Sequence, residues 1–184
     1  MNIVELTKYD NSWYKPGGTF YKRMIWYFFN LLFVKSGWLP FSGFKLFLLR
    51  LFGAKIGKGV VIKPCVNIKY PWNLVIGNFT WIGEEVWIDN LAKVEIGSNC
   101  CLSQGAMLLC GNHNYKKATF DLMIGEIKIE DGCWVGARSL VTGGVTMHTH
   151  SILCVNSFTS KDLEAFGIYL GTPAVKVKER IIES

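Results

Sequence analysis

IGNFTW (76–81), IGEEVW (82–87), IDNLAKVE (88–95), IGSNCC (96–101) and LSQGAM (102–107) place an aliphatic residue at the head of every unit of about six. The beat extends back through IGKGVV, IKPCVN and IKYPWNLV over 56–75 and forward through LLCGNH from 108. After an interruption it resumes as IEDGCW, VGARSL, VTGGVT, MHTHSI and LCVNSF over 129–158. The fifth place of each unit is small or β-branched: Val60, Val66, Thr80, Val86, Ala92, Cys100, Ala106, Cys133, Ser139, Val145, Ser151 and Ser157. Trp72 is the exception, and Gly follows the leading aliphatic at 57, 77, 83, 97 and 136.

A period of six fits neither the 3.6 of an amphipathic helix nor the two of an open sheet. It fits a coil of very short strands with a turn after each. The leading aliphatic fills the interior, the small residue closes the corner, and Gly sits where a Cβ is costly. Three hexads make one triangular turn, so Ile56, Ile76 and Ile96 mark successive turns. Their spacing exceeds eighteen because of paired additions at 74–75 and 94–95, which should stack on one edge. The pattern predicts an all-β core, a parallel β-helix in which each turn pairs with those above and below. It divides the chain into an arm and apolar cap (1–55), the β-helix (56–167, with an inserted loop at 109–127) and a terminal segment (168–184).

Half the 184 residues are apolar, including seven Trp, seven Tyr and twelve Phe, which excludes a disordered chain. A formal charge of +6 suits an anionic ligand or acidic surface. No recognition motif or concentrated basic face points to nucleic acid. The six cysteines form no CxxC pair, and no basic, apolar and cleavage-site succession opens the chain, so the expected compartment is reducing cytoplasm.

Residues 1–19 read as an arm. The apolar runs 20–35 and 44–57, separated by SGWLPFSG, read as helices, the second ending near Gly53. Lys22, Arg23, Lys45 and Arg50 interrupt them, and neither supplies the roughly 20 apolar residues of a membrane span. Two roles follow: covering the open end of the coil, or lying peripherally in a bilayer interface at the inner face of the membrane. Aromatics on the body, Trp81 and Trp87 among them, point to subunit packing or a substrate wall.

The interruption LLCGNHNYKKATFDLMIGEIK is the place where a rigid solenoid would carry function, and it holds His113. Histidine accepts a proton near neutral pH. A lone base suffices when an acceptor hydroxyl attacks an activated thioester and a polar donor stabilises the oxyanion. His148 and His150 make two candidate ligands without a third, so no metal is expected.

The lead-in FLLRLFGAKIGKGVVI, the YPWNL segment and its hexads, the loop LLCGNHNYKKATFDL, the resumption IKIEDGCWVGARSLV and the closing GTPA (171–174) together resemble the hexapeptide-repeat acyltransferases. Within them the chain is most similar to the colanic-acid type of exopolysaccharide acetyltransferase. The resemblance implies a left-handed coil, a homotrimer with acetyl-CoA in the cleft between prisms, and direct acetyl transfer to a sugar hydroxyl with His113 as base. The acceptor would be a saccharide, nucleotide- or lipid-linked. Where the family carries Gly-Ser-His-Asp, this chain has Gly111, Asn112, His113 and Asn114, so another group must orient the base. Glu85, Asp89 and Asn90, with Asn114, are the candidates to bind acceptor or hold the imidazole. Along the donor path the resemblance implies Trp134, Gly136 and Ala137, then Ser160 and Lys161, with Lys176, Lys178 and Arg180 toward the nucleotide phosphates. His148 and Cys154 replace the family's glycines in the last turn, which could reshape the donor cleft. The competing expectations are an N-acyltransferase acting on an amino sugar and a non-catalytic trimeric scaffold.

Overall fold

The computed structural model describes residues 3–183; residues 1, 2 and 184, the extremes of the expected arm and tail, lie outside the described residues. Its body is the triangular coil that the six-residue period predicts. Strands β1 (Lys55–Ile56), β4 (Leu74–Ile76), β7 (Val94–Ile96), β12 (Ile127–Ile129) and β15 (Thr146–Met147) stack in parallel as one wall. A second wall runs β3 (Asn67–Ile68), β6 (Trp87–Asp89), β9 (Met107–Leu109), β14 (Leu140–Thr142), β17 (Phe158–Thr159). The third runs β2 (Val61–Ile62), β5 (Trp81–Ile82), β8 (Cys101–Leu102), β13 (Trp134–Val135), β16 (Ile152–Leu153). It continues into β18 (Gly167–Gly171), which turns back as β19 (Ala174–Glu179).

Leading aliphatics lie directly over one another in each wall. Ile62, Ile82, Leu102, Val135 and Leu153 form one such column, every member fully buried. The fifth-place residues are buried as expected, apart from the half-buried Ala92. The glycines at 57, 77, 83, 97 and 136 owe their place to close stacking. A Cβ on Gly77 would stand 2.5 Å from the backbone of Gly97, and one on Gly136 2.6 Å from that of Val155. His148 and Cys154 replace such glycines in the last coil, over which only β18 and the bridge residue Leu163 stack.

The additions stack on one edge, as expected: Leu74 and Val75 pair with Val94 and Glu95, and these with Ile127 and Lys128. The corner leading into these strands is where Tyr70–Asn73, Asn90–Lys93 and the long interruption all leave the coil. The interruption is a small antiparallel hairpin, β10 (Gly111–His113) against β11 (Leu122–Ile124).

Both apolar runs are helical. Thr19 caps α1 (Phe20–Phe29) by accepting from Lys22 N, and the chain then widens into a π-wound turn at Asn30–Val34. Trp26, buried, donates its indole N–H to the Ile68 carbonyl at 3.0 Å, and Asn30 bonds Asn67, so α1 is pinned to the first coil. The second helix, α2 (Ser42–Leu51), closes the coil's open end. Ser42 Oγ accepts from Ile62 N, buried Lys45 donates to the Lys63 carbonyl, and Arg50 donates to Ile56 and Gly57. Capping is therefore the role of α2. No helix among the described residues is long and apolar enough to cross a membrane.

The arm is ordered along the corner of the interruptions. Trp72, the exception to the small-residue rule, packs on Gly17 and Gly18 and donates to the Pro16 carbonyl. One coil further, Tyr14 donates to Leu91 O at 2.7 Å, and beyond it Glu5 N bonds Ala118 O in the hairpin.

Candidate active site

His113 ends the outgoing strand of the hairpin, opposite Leu122. Its Nδ1 lies 3.0 Å from the Phe120 carbonyl, and its ring stacks on that of Phe120 with centroids 4.4 Å apart and planes 6° apart. A carbonyl only accepts, so Nδ1 carries the hydrogen and Nε2 keeps its lone pair. Tyr9 of the arm lies beside the imidazole, 5.7 Å between centroids and tilted by 55°. Phe120 holds a φ of +50°, which is costly for a bulky side chain. Local bonds brace the hairpin: Asp121 pairs with Lys117 at 2.7 Å and accepts from Thr119, and Asn114 N donates to the Asp121 carbonyl. The Lys117 and Thr119 contacts hold the Asp121 carboxyl below its ordinary range.

The candidate orienting groups separate. Asn114 accepts from Lys116 N through its side chain and shapes the turn. Asp89 sits at the foot of the hairpin: its carbonyl accepts from Cys110 N, and its Oδ1 is 2.9 Å from Lys69 Nζ but off-axis for a hydrogen bond. Asn90 is fully buried, its amide accepting from Tyr70 N and donating to Tyr70 O, which leaves the side chain no face toward an acceptor. Glu85 is exposed at a different corner, with φ +61°. Residue patterns gave no hint of Phe120 or Tyr9. The contact to Phe120 is a backbone oxygen, and Tyr9 belongs to a stretch without periodicity. Burial raises the pKa of Tyr14, whose ring stands near Tyr70, Asp89 and Arg23.

On the donor side, Trp134 faces outward with its indole N–H on Ser103 Oγ at 2.8 Å. Gly136 and Ala137 follow at the next corner, where Ala137 O accepts from Asn156 N. Ser160 and Lys161 are exposed just beyond β17. The basic cluster is more committed than its sequence suggests. Lys176 pairs with Glu164 at 2.7 Å and Glu179 at 2.6 Å, contacts that raise its pKa. Arg180 donates to Gly132 O and His150 O, while Lys178 lies exposed on β19 opposite Ile168. His150 stacks on Phe166, and His148 stands 3.4 Å from Glu130. No three His, Cys, Asp or Glu side chains converge as a metal site among the described residues.

No protein-family model matches the chain. It is 35% identical over 167 residues to WcaF of Escherichia coli (strain K12), named as a colanic acid biosynthesis acetyltransferase, which spans 90% of this chain and 91% of that one. Nodulation protein L of Rhizobium meliloti is 26% identical over 123 residues, 65% of this chain and 67% of that one. Among solved structures, the hexapeptide-repeat acetyltransferase VCA0836 of Vibrio cholerae superposes with a TM-score of 0.78 at 20% identity, over 86% of this chain and 90% of that one. A galactoside acetyltransferase in complex with coenzyme A gives 0.76 at 21% identity, over 86% and 80%. Both share the fold. With five stacked coils, a histidine hairpin and 35% identity running through nearly its whole length, the chain belongs to the hexapeptide-repeat, left-handed β-helix acetyltransferases, as a relative of the colanic acid acetyltransferase WcaF.

Proposed function

We propose that the protein is an O-acetyltransferase that moves an acetyl group from acetyl-CoA to a saccharide hydroxyl, with His113 as general base. The observation that carries this reading is the Nδ1 contact to the Phe120 carbonyl, which leaves Nε2 as the acceptor of a proton. Family membership supplies the reaction class, since WcaF is named for acetyl transfer in colanic acid synthesis. Nε2 takes the hydroxyl proton as the oxygen attacks the thioester carbonyl. The tetrahedral oxyanion then collapses, the carbon–sulfur bond breaks, and the imidazolium returns the proton to the departing thiolate. The Phe120 carbonyl does the orienting that a carboxylate at 114 would do. Trp134, Gly136 and Ala137 lie along the proposed donor path, with Ser160, Lys161 and Lys178 further along it.

The proposed assembly is a homotrimer. Outward residues on two walls are largely apolar: Trp81, Cys101 and Trp134 on one, Met107, Leu140 and Phe158 on another. The third shows Lys55, Val75, Glu95, Lys128 and Thr146. Two sticky walls and one polar wall suit prisms packed around a threefold axis.

The test follows coenzyme A thiol release with acetyl-CoA and a panel of saccharides. His113→Ala should lower kcat by roughly 10²-fold or more while acetyl-CoA binding persists. Unchanged turnover in that variant would remove His113 from the mechanism.

A further inference from the structure

Between α1 and the wall that carries Asn67 and Trp87 runs a groove of about 520 Å³ whose lining is mostly apolar. Met24, Tyr27 and Leu31, spaced to share one side of the helical segment, form its outer lip, and each is 40% exposed or more. The π-wound turn begins at Asn30, in this lip, where it lets the side chain reach across to the coil. Charge in the groove is unbalanced: Arg23, Lys35 and Lys69 line it against Asp89 alone. Arg23 makes one long hydrogen bond, 3.4 Å to the Gly18 carbonyl. Asp89 lines the groove, and its carbonyl accepts from Cys110 N, three residues before His113.

We propose that this groove binds the lipid phosphate of a lipid-phosphate-linked saccharide and so presents the sugar to His113. The proposal rests on the acetyl-transfer reading for its second half only. An apolar trough alone would take any greasy molecule. The excess cations select an anionic one, and Asp89, shared by the groove lining and the foot of the hairpin, places its polar end toward the coil's interruption. The sugar would extend past Asp89, with the chain running along Met24, Tyr27 and Leu31 toward the exposed aromatics of α1.

The experiment titrates the full chain with monomeric farnesyl phosphate by calorimetry, beside farnesol, inorganic phosphate and phosphatidylglycerol vesicles. Farnesyl phosphate should bind one site per chain, with farnesol and phosphate each at least about tenfold weaker. Leu31→Glu and Arg23→Glu should each weaken farnesyl phosphate by roughly tenfold at unchanged circular dichroism. Equal affinity in the wild type and both variants overturns the proposal. So does binding to vesicles without binding to the monomer, which would mark plain membrane adsorption. Acetyl transfer is read separately: turnover of soluble saccharides without farnesyl phosphate binding sinks the groove alone. Groove binding without turnover of any saccharide upholds the groove and removes the transferase reading.

Discussion

Several corner residues of the coil are hydrogen-bond donors as well as small. Thr80 Oγ1 donates to Gly97 O at 2.7 Å, Cys100 Sγ to Glu130 O at 3.1 Å, Cys133 Sγ to His148 O at 3.1 Å and Ser139 Oγ to Cys154 O at 2.6 Å. Each ties one coil to the next where the chain bends and the ladder is interrupted. Burial pushes the Cys100 thiol up to about 12 and Cys110 to about 11. A thiol whose folded pKa is raised disfavours the folded state once the unfolded chain ionises, near 9. Stability should therefore fall as pH rises above about 9. Cys100→Ser, which keeps the donor, should soften that decline in thermal melts, and an identical alkaline decline would contradict the assignment. At the hairpin, Phe120→Gly isolates the stacked ring, because glycine adopts φ +50° freely and leaves the carbonyl in place. Loss of an aromatic contact worth about 0.5–1.5 kcal/mol should lower kcat roughly 2- to 10-fold. An unchanged rate would give the ring no part in orienting the base. Much of this scale was closed to sequence reading. The fourth place of the hexads has positive φ: Gly or Asn holds it at Gly59, Asn99, Gly105, Gly132, Gly144 and Asn156, but Cys65, Phe79, Glu85, Arg138 and His150 hold it elsewhere, a preference too broken to read as a rule.

Elements were far more legible, because a wall of short strands needs its aliphatics at a fixed interval. The glycines at second place were legible too, though the physics is the approach of the next coil rather than backbone strain. Gly77→Ala should cost about 1–3 kcal/mol by forcing two coils apart. Denaturant unfolding measures this, and a cost within experimental scatter would mean that the stack yields more readily than its spacing implies. Covering the coil's open end was expected from its unpaired ladder alone; the side chains that meet the first coil's backbone, Ser42, Lys45 and Arg50, carried no such signal in the sequence. Ser42→Ala removes the acceptor for Ile62 N and should cost about 1–2 kcal/mol. Stability equal to wild type would show that another acceptor replaces it. The arm had no signature either. Its path up the corner depends on isolated contacts at Trp72, Leu91 and Ala118, each with a different partner chemistry.

For the whole molecule, the contrast between walls makes assembly testable. Trp81, 62% exposed on an apolar wall, should convert the proposed trimer to smaller species as Trp81→Glu, whereas Lys128→Glu on the polar wall should leave it intact. Sedimentation of both variants decides; trimers that survive Trp81→Glu would move the interface elsewhere. The coil's stacking has a further consequence for substrate choice. Its turns vary in length, from Ile56 to Ile76, Ile96, Ile129 and Met147, yet every extra residue is absorbed at a corner and the inward column stays in register. The span from the groove under α1 to His113 is thus quantised: it changes only by adding or removing a whole turn, about 4.8 Å at a time. A relative with one more turn between helix and hairpin would be geared for an acceptor about one such step longer, with no change to a single residue of its active site.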